Sequence, residues 1–448
     1  MPYILNTEKV QKEMLKAIGR KSMEELYRQI PFSLRLNSLL DLAKGLSEYE
    51  VKKHVESLCA RNKTLDSFNS FLGAGSYDHY LPAALPFILS RSEFLTAYTP
   101  YQAECSQGIL QAIYEYQTYM CLLTGMDVSN ASLLDGASSL AEAVLMALRI
   151  TQRKKVMLLG IIHPEYKQTL KTYLSGYDFT IKEIGADDSG ITDTVDLAQS
   201  LDEGVGCCVV QSPNFFGLVE DIEKLAYLVK EKKSLLILAT NPLSLAIFKE
   251  PAKLGVDIVC VDGQPLGGNL NFGGPSFGFL AAKREYLRQM PGRIVGKTLD
   301  KEGRAAYCLT LQTREQHIRR EKATSNICSN QSLNTLAAAV YLSLLGEKGL
   351  KDVALFSFSN AQYLYQRLSQ IRGINIPYPQ QIFNEFLWEV EDAENVANKL
   401  YQKNIIAGYL VGKEFPQHKD GILSCCTEKK AKEDIDVFAN SIAEILHG

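Results

Sequence analysis

The sequence predicts an α/β fold built on a mainly parallel sheet with helices on both faces. Two observations support this prediction: strand-like runs alternate with amphipathic helical segments from Lys154 onward, and most of those runs are continuously apolar. Continuous apolar strands are typical of parallel sheets, because helices bury both of their faces. Strands are predicted at 155–160, 179–184, 206–211, 234–239 and 256–260, and helices at 166–174, 194–201 and 221–232.

Residues 1–65 are predicted to form a helical arm ahead of this sheet. Thr7 is placed to cap a first helix, and Ser47 with Glu50 three residues later forms a capping box for a second helix. The arrangement favours an arm that packs on another surface over a domain with a core of its own.

Two further helices are predicted before the first parallel strand, one over 109–124 and one after Asp135. Ser139 is the predicted N-cap of the second, with Glu142 three residues on. Free backbone N–H groups at a helix start attract anions, so a candidate anion seat forms there. Its residues are Gly136, Ala137 and Ser138. On spacing alone, a simple capped helix is the better interpretation.

The last third of the chain is predicted to hold a smaller α/β domain. A long helix rich in Ala and Leu starts at Gln331 and is predicted to end at Leu345. Strands are predicted beyond it at 386–390 and 421–425, and helices at 393–403 and 430–446. The predicted domains are the arm at 1–65, a large domain at 66–330 and a small domain at 331–448.

Composition narrows the class of protein. The chain has 448 residues, 46% of them hydrophobic, and a net charge of −3, which disfavours nucleic-acid or acidic-membrane partners. No apolar run is long enough for a membrane span, and no signal peptide is visible. Ten cysteines without a CxxC spacing indicate reduced thiols, a cytoplasmic location and no metal site.

Two segments combine polar, basic and aromatic side chains in a way that indicates a site or an interface. One is the loop before the 109–124 helix, and the other follows the parallel strands. A packed loop network and a solvated basic face are the alternative interpretations, and both stay open. The candidates are Tyr98, Thr99, Tyr101, Gln102, Glu104, Arg314, His317, Arg319 and Lys322.

A glycine-rich loop at 261–278 follows the last predicted parallel strand. Such loops lie at the carboxyl edge of an open α/β sheet, where ligands bind. No lysine occurs between Val256 and Ala282. A nicotinamide-binding unit is disfavoured, since no GxGxxG lies between an early strand and its helix.

Seven motifs give the chain a resemblance to a known family over essentially its whole length. They are FLGAGSYDHY at 71–80, YTPYQAE at 98–104, DGA at 135–137, DGQPLG at 262–267, FGGP at 272–275, RQMPGR at 288–293 and LQTREQHIRREKATSN at 311–326. The chain resembles the P-proteins of the glycine cleavage system, and among them the alpha subunits of two-subunit glycine decarboxylases. The resemblance implies the aspartate-aminotransferase-like fold of fold type I pyridoxal-phosphate enzymes.

The resemblance also implies that two different subunits have separate roles in the enzyme. A beta subunit carries pyridoxal phosphate on its lysine, and the alpha subunit completes an assembly that is typically α2β2. The complex decarboxylates glycine, releases CO2 and passes the aminomethyl group to the lipoyl group of the H-protein. The alpha subunit would then be part of an enzyme, glycine dehydrogenase (aminomethyl-transferring), without being catalytic alone.

The lysine and its supporting carboxylate are missing at the positions where the resemblance places them. The Schiff-base lysine has its counterpart near Gln264. The strand expected to end in the aspartate that pairs with the pyridine nitrogen ends here in Ala239, Thr240 and Asn241. The resemblance therefore implies no covalently bound cofactor, no catalytic residue and a degenerate phosphate seat in this chain.

Two other hypotheses stay open. In the first, the chain is an autonomous pyridoxal-phosphate enzyme that uses another lysine, such as Lys297 or Lys322. In the second, it is a structural or regulatory partner that does not shape the active site.

Overall fold

The computed structural model describes residues 6–36, 38, 40–95, 97–325, 327 and 330–448. The chain divides into two compact units, Met1–Lys63 and Thr64–Gly448. No observation tests the predicted domain boundaries at 65 and 330, which stay predictions.

The first unit contains two capped helices, as the sequence predicts. Helix α1 spans Glu8–Ala17, and the Thr7 hydroxyl accepts a hydrogen bond from the Val10 backbone N–H at 3.4 Å. Helix α2 spans Glu48–Cys59 and starts with the predicted capping box between Ser47 and Glu50. Among the described residues of this unit Leu15 alone is buried, so the unit has almost no core of its own.

The second unit is organised around a seven-stranded sheet. Its helices are α3 (Ala84–Leu89), α4 (Gln107–Thr124), α5 (Gly136–Thr151), α6 (Pro164–Leu174), α7 (Thr194–Ser200), α8 (Ile222–Glu231), α9 (Gln316–Arg319), α10 (Ser332–Ser369), α11 (Ala393–Gln402) and α12 (Lys432–His447). Its strands are β1 (Asn69–Ser70), β2 (Val128–Ser129), β3 (Lys155–Leu159), β4 (Thr180–Ile184), β5 (Val205–Gln211), β6 (Leu235–Thr240), β7 (Ile258–Asp262), β8 (Gly278–Ala282), β9 (Ile294–Leu299), β10 (Ala305–Thr310), β11 (Ile374–Asn375), β12 (Glu385–Val390), β13 (Ile405–Ile406), β14 (Tyr409–Leu410) and β15 (Gly421–Cys425).

The large sheet has the order β2-β8-β7-β6-β5-β3-β4. Strands β3 to β7 pair in parallel, whereas β8 and β2 join antiparallel at one edge. The mainly parallel α/β architecture predicted from the sequence is thus confirmed. The antiparallel edge was not predicted, because the run Gly278–Ala282 is short and adjoins the glycine-rich loop.

Helices cover both faces of this sheet, and the side-chain period of the strands shows it. In β5, Cys207 and Val209 pack into the core with α5 and α6, while Cys208 and Val210 pack into the core on the other face, with α4, α8 and α10. Successive strand residues point to opposite faces, so a strand buried on both faces must be apolar throughout.

Helix α10 consists of two helical segments that meet at a kink at Gly346, directly after the helix end predicted at Leu345. Gly346 has φ 61° and ψ −174°, a backbone conformation that suits glycine. The amino-terminal part contributes Tyr341 to the core of the large sheet, and the later part contributes Leu364 to the core of the small sheet.

The small sheet is antiparallel and has the order β11-β12-β15-β14. Its core is built around the buried Trp388, whose indole N–H donates to Ser424 Oγ at 2.8 Å. Strand β1, early in this unit, pairs in parallel with β13. Strands β9 and β10 form a separate hairpin.

The described residues contain no helix that meets the length and apolarity needed to cross a bilayer. Within the same ranges, no group of three or more His, Cys, Asp or Glu side chains is arranged to hold a metal ion.

Truncation of Ile237 tests how strongly the large sheet stabilises the unit. Ile237 lies fully buried in the middle of β6. Ile237→Ala removes packing from the core that the sheet shares with α5 and α6. It is expected to lower the free energy of unfolding by about 2–5 kcal/mol, measured by urea denaturation. Val195→Ala, at an exposed position of α7, is the control and should cost less than about 0.5 kcal/mol. Equal costs would contradict the packing described here.

Candidate functional site

A polar cleft lies where β5, β6 and β7 end at the carboxyl edge of the sheet. An inner cavity of about 40 Å³ is bordered by Thr240 and Asn241, and an outer cavity of about 380 Å³ opens beside it. Both cavities are lined by Gly75, His163, Tyr166 and Asp262. The exit loops of a parallel sheet commonly build ligand sites at this edge.

Gln264, just beyond β7, is buried and fully hydrogen-bonded. Its Oε1 accepts from the Tyr77 backbone N–H, and its Nε2 donates to the Tyr77 and Gly268 carbonyl oxygens, each at 2.9 Å. The side chain therefore ties the loop that contains Tyr77 to the glycine-rich loop after β7.

Tyr77 also links the cleft to the small sheet through Glu385 of β12. The Tyr77 hydroxyl donates to Glu385 Oε1 at 2.6 Å, and the Ala74 backbone N–H donates to Oε2 at 2.9 Å. Burial raises the pKa of the Glu385 carboxyl from 4.5 to about 7, although both hydrogen bonds favour the charged form. Burial and the nearby carboxylate also raise the pKa of Tyr77 well above its usual value.

Helix α5 begins at this edge, and carboxylates of the chain itself bind its first turn. Asp135 is the N-cap, with its Oδ1 accepting from the Ser138 N–H at 2.7 Å; the prediction of Ser139 as the cap is wrong. The Ser139 hydroxyl donates to the Asp135 carbonyl oxygen instead. The Gly136 N–H donates to Asp262 Oδ2 at 2.9 Å. Two N–H groups of the predicted anion seat therefore already have partners.

At the end of β6 the chain presents neutral polar groups. Asn241 Oδ1 accepts from the Leu243 N–H, whereas its Nδ2 is buried and has no hydrogen-bond partner among the described residues. The adjoining inner cavity has room for a few water molecules, which suits an amide that needs an acceptor.

Aromatic rings form one wall of the cleft. The His163 ring stacks on Tyr166 with 4.8 Å between centroids and meets Phe215 edge-on. Its Nδ1 accepts from the Glu165 N–H and its Nε2 lies 3.0 Å from the Ala74 carbonyl oxygen, so Nε2 carries the proton. Burial lowers the pKa of His163, which favours the neutral ring.

A family model described as the glycine cleavage system P-protein matches residues 1–442. The chain belongs to this family. A protein of Carboxydothermus hydrogenoformans named "Probable glycine dehydrogenase (decarboxylating) subunit 1" is 48% identical over 448 residues, which cover both proteins completely. A crystal structure of a glycine decarboxylase (P-protein) in inhibitor-bound form matches with a TM-score of 0.90 and 39% identity, covering 99% of this chain and all of the other.

The fold extends beyond the P-protein family. A C-DES variant with glycine covalently linked to its PLP cofactor matches with a TM-score of 0.61 and 14% identity, covering 81% of this chain and 94% of the other. A likeness at this identity concerns the fold alone. The prediction of an aspartate-aminotransferase-like, fold type I architecture is confirmed.

The cleft of this P-protein chain does not fit pyridoxal phosphate. No lysine is present among the described residues that line either cavity. Gln264 lies beyond β7 with its amide fully engaged, and the strand β6 ends in the neutral Thr240 and Asn241. The first turn of α5 is already bound to Asp135 and Asp262. Lys297 and Lys322 are exposed and do not line the cleft.

Two of the predicted interface residues meet at the hairpin of this P-protein chain. The Tyr101 ring lies edge-on to His317, with 5.4 Å between centroids. Arg293, just before β9, lies beneath them: its Nη2 is 3.3 Å from the Tyr101 hydroxyl oxygen, and its Nε is 3.6 Å from Glu315 Oε2. Arg293 and Glu315 form an ion pair, but 3.6 Å is too long for a hydrogen bond. The buried Arg293 Nε therefore has no hydrogen-bond partner among the described residues.

The other predicted residues have different environments. Arg314 donates to the Met290, Gly292 and Leu311 carbonyl oxygens, which indicates a structural role. Thr99 is half-buried. Tyr98, Gln102, Glu104, Arg319 and Lys322 are exposed. The polar segment 323–331 contains Asn326, Cys328 and Ser329, which lie outside the described residues.

Sequence analysis missed roles for four residues that the structure brings into the sites. Arg293, Asp262 and Glu315 stand in quoted motifs, yet none of them received a role. Glu385 directly precedes the predicted strand 386–390, and Asp262 lies just after the predicted strand 256–260. The available signal was a charged residue at the boundary of an apolar strand, since such a group must find a partner when the strand is buried.

The hydrogen bond between Tyr77 and Glu385 predicts a pH-dependent cost of mutation. The folded pKa of Glu385 lies above its ordinary value, so the stability contributed by its neutral form is present below about pH 4.5 and is lost as the pH rises through about 7. Above pH 7 the bond from Tyr77 stabilises a buried charge. Tyr77→Phe should therefore cost about 1 kcal/mol near pH 5.5 and about 2–3 kcal/mol near pH 8.

Urea denaturation of wild type and variant at the two pH values measures this difference. Tyr80→Phe is the matched control, because Tyr80 is exposed and should show no such dependence. An equal cost of Tyr77→Phe at both pH values would show that Glu385 does not ionise in this range.

Proposed function

We propose that this chain is subunit 1, the alpha subunit, of glycine dehydrogenase (decarboxylating). With a second subunit that holds pyridoxal phosphate, it decarboxylates glycine, releases CO2 and transfers the aminomethyl group to the lipoyl group of the H-protein. The proposed assembly is α2β2 in the cytoplasm, with no nucleic-acid or membrane partner.

The observation that carries this proposal is a cleft without a lining lysine in a chain that matches the P-protein family over residues 1–442. The family relationship supports glycine decarboxylation, and the relative of Carboxydothermus hydrogenoformans is named as one subunit. A chain whose cleft does not fit the cofactor needs a partner that does the chemistry. The role of this chain is then to bind that partner and to position groups beside its active site.

The surface around Tyr101 has the chemistry expected of such a contact. Tyr101, His317 and Arg319 are exposed, and the Arg293 guanidinium carbon lies 5.5 Å from the centroid of the Tyr101 ring. Aromatic and arginine side chains are enriched in the central contacts of interfaces. Available anions are the carboxylate of glycine, the cofactor phosphate or acidic residues of the second subunit.

The amino-terminal arm also supports a role in assembly. Among the described residues, sixteen of the thirty-seven exposed large apolar side chains lie between Val10 and Leu58. On α2 the residues Val51, Val55 and Leu58 form one stripe at helical spacing. A segment with this much exposed apolar surface and almost no core is typical of a subunit contact.

The two alternative functions make different predictions. An autonomous pyridoxal-phosphate enzyme would need a lysine, such as Lys297 or Lys322, at the cleft, and no lysine is among the described residues that line it. A purely structural partner would leave the second subunit fully active alone. The decisive experiment is the glycine–CO2 exchange rate of the second subunit with and without this chain.

A cofactor-trapping experiment tests the first alternative. The chain purified from cells and reduced with borohydride, without added pyridoxal phosphate, should keep its unmodified mass, because the cleft presents no lysine amine. Mass spectrometry measures the outcome, with the second subunit as the positive control. A stoichiometric pyridoxyl-lysine adduct would establish this chain as a cofactor-bearing enzyme.

Variants of the exposed cluster test the contact with the second subunit. Tyr101→Phe removes the hydroxyl beside Arg293, and Arg319→Ala removes an exposed charge. Either variant should lower glycine–CO2 exchange or subunit binding at least about tenfold. The chain alone should lose about 1 kcal/mol of stability or less.

The matched control is Lys154→Ala, an exposed residue paired with Asp178 at the opposite edge of the sheet. It should leave exchange and binding unchanged. Melting temperature and elution volume establish that each variant is folded. Normal exchange and assembly in both Tyr101→Phe and Arg319→Ala would show that this surface is not the contact.

A further inference from the structure

The start of helix α5 holds a carboxylate where an anionic ligand would otherwise bind. Asp262, the last residue of β7, accepts three hydrogen bonds: from the Gly136 N–H at 2.9 Å, from the Gln264 N–H at 2.9 Å and from the Ser276 hydroxyl at 2.5 Å. Backbone N–H groups at a helix start form a general binding site for phosphate and other anions. We propose that the Asp262 carboxylate is an internal anion that fills this seat and closes the cleft to phosphate-bearing ligands.

The end of β7 can approach the start of α5 closely because residue 136 is a glycine. A Cβ atom at Gly136 would lie 2.1 Å from the Tyr166 hydroxyl oxygen and 2.7 Å from Asp262 Cβ. Glycine at this position therefore lets the end of β7 reach the helix start. Asp262 is held there by packing as well as by its hydrogen bonds.

An external phosphate at this seat would have to displace Asp262. The Asp262 carboxylate would then stay buried with only the Gln264 N–H and the Ser276 hydroxyl as donors, and the loss of a hydrogen bond to a buried charged group is costly. The Ser138 N–H offers no alternative, because Asp135 Oδ1 already accepts from it at 2.7 Å. Displacement is thus opposed at two N–H groups of the first turn.

The charges around the outer cavity oppose phosphate as well. Asp135, Glu165 and Asp262 line it, and the described lining residues include no lysine or arginine. Phosphate sites usually offer Lys or Arg donors together with backbone N–H groups. A dianion in this cavity would meet carboxylates and no side-chain cation.

This inference goes beyond the proposed function, since it concerns only the cleft of this chain. It identifies the residue that keeps phosphate out, and it would hold for a structural partner as well as for a glycine dehydrogenase subunit. Its failure would leave the subunit assignment untouched.

Removal of Asp262 should convert the closed seat into a phosphate site. In the full-length chain, Asp262→Ala frees the Gly136 and Gln264 N–H groups and removes one negative charge. Inorganic phosphate should then raise the melting temperature relative to chloride at equal ionic strength. Calorimetric titration should show phosphate binding at least about tenfold tighter than for the wild type.

Asp221→Ala is the matched control. It also removes an aspartate that binds the first turn of a helix, since Asp221 accepts from the Lys224 N–H at the start of α8. Asp221 is exposed and borders a different cavity, so phosphate should not stabilise this variant. The comparison separates a specific seat from a general effect of phosphate on weakened helices.

Three results would overturn the proposal. They are phosphate binding by the wild type as tight as by Asp262→Ala, a folded Asp262→Ala with no response to phosphate beyond that to chloride, and equal stabilisation of Asp221→Ala. If Asp262→Ala is recovered unfolded, Asp262→Ser replaces it in the same titration. Serine is smaller than aspartate and uncharged, but its hydroxyl oxygen can still accept a hydrogen bond. Refolding yield of either variant in phosphate against chloride supplies a second readout, and equal yields count against the proposal.

Discussion

The paired hydrogen bonds between the Gln264 amide and the Tyr77 backbone are the interaction on which the cleft depends. One side chain satisfies both the N–H and the C=O of Tyr77, and it also binds the Gly268 carbonyl oxygen. The same loop is held by Glu385 and by His163. Loss of the amide would leave buried backbone groups without partners, at about 1–3 kcal/mol each. Gln264 therefore acts as a structural clamp where the family resemblance places a catalytic lysine.

This clamp explains why the cleft persists although the cofactor does not fit it. The exits of parallel strands leave polar backbone groups at the carboxyl edge, and each buried group needs a partner. In a cofactor enzyme, ligand atoms supply part of those partners. Here Asp262, Asp135, Gln264 and Glu385 supply them from the chain itself. The side-chain Nδ2 of Asn241 is also buried, but it has no hydrogen-bond partner among the described residues. Asn241 lines the small inner cavity.

The sequence predicted the elements whose pattern is local and left out those that depend on distant contacts. Strands β3 to β7 and helices α1, α2 and α8 were found because apolar runs and capping residues are visible within a few positions. The hairpin β9–β10 was missed, since residues 297–299 at the end of β9 are exposed and its pairing lies with β10. The glycine-rich loop and Gln264 were recognised as important. Their contact with Tyr77 spans 187 positions and has no local signal.

The cleft and the surface near the hairpin differ in whether their polar groups bind one another or are exposed to solvent. Arg293 is buried beneath exposed Tyr101 and beside Glu315, and a buried ion pair adds little net stability because both charges lose water. Arg293 contacts Tyr101 twice, through a hydrogen bond to its hydroxyl and through a cation–π contact with its ring. In the cleft, most of the buried polar groups form hydrogen bonds with one another. The surface near the hairpin instead exposes Tyr101, His317 and Arg319, and this is the surface proposed above to contact a second subunit.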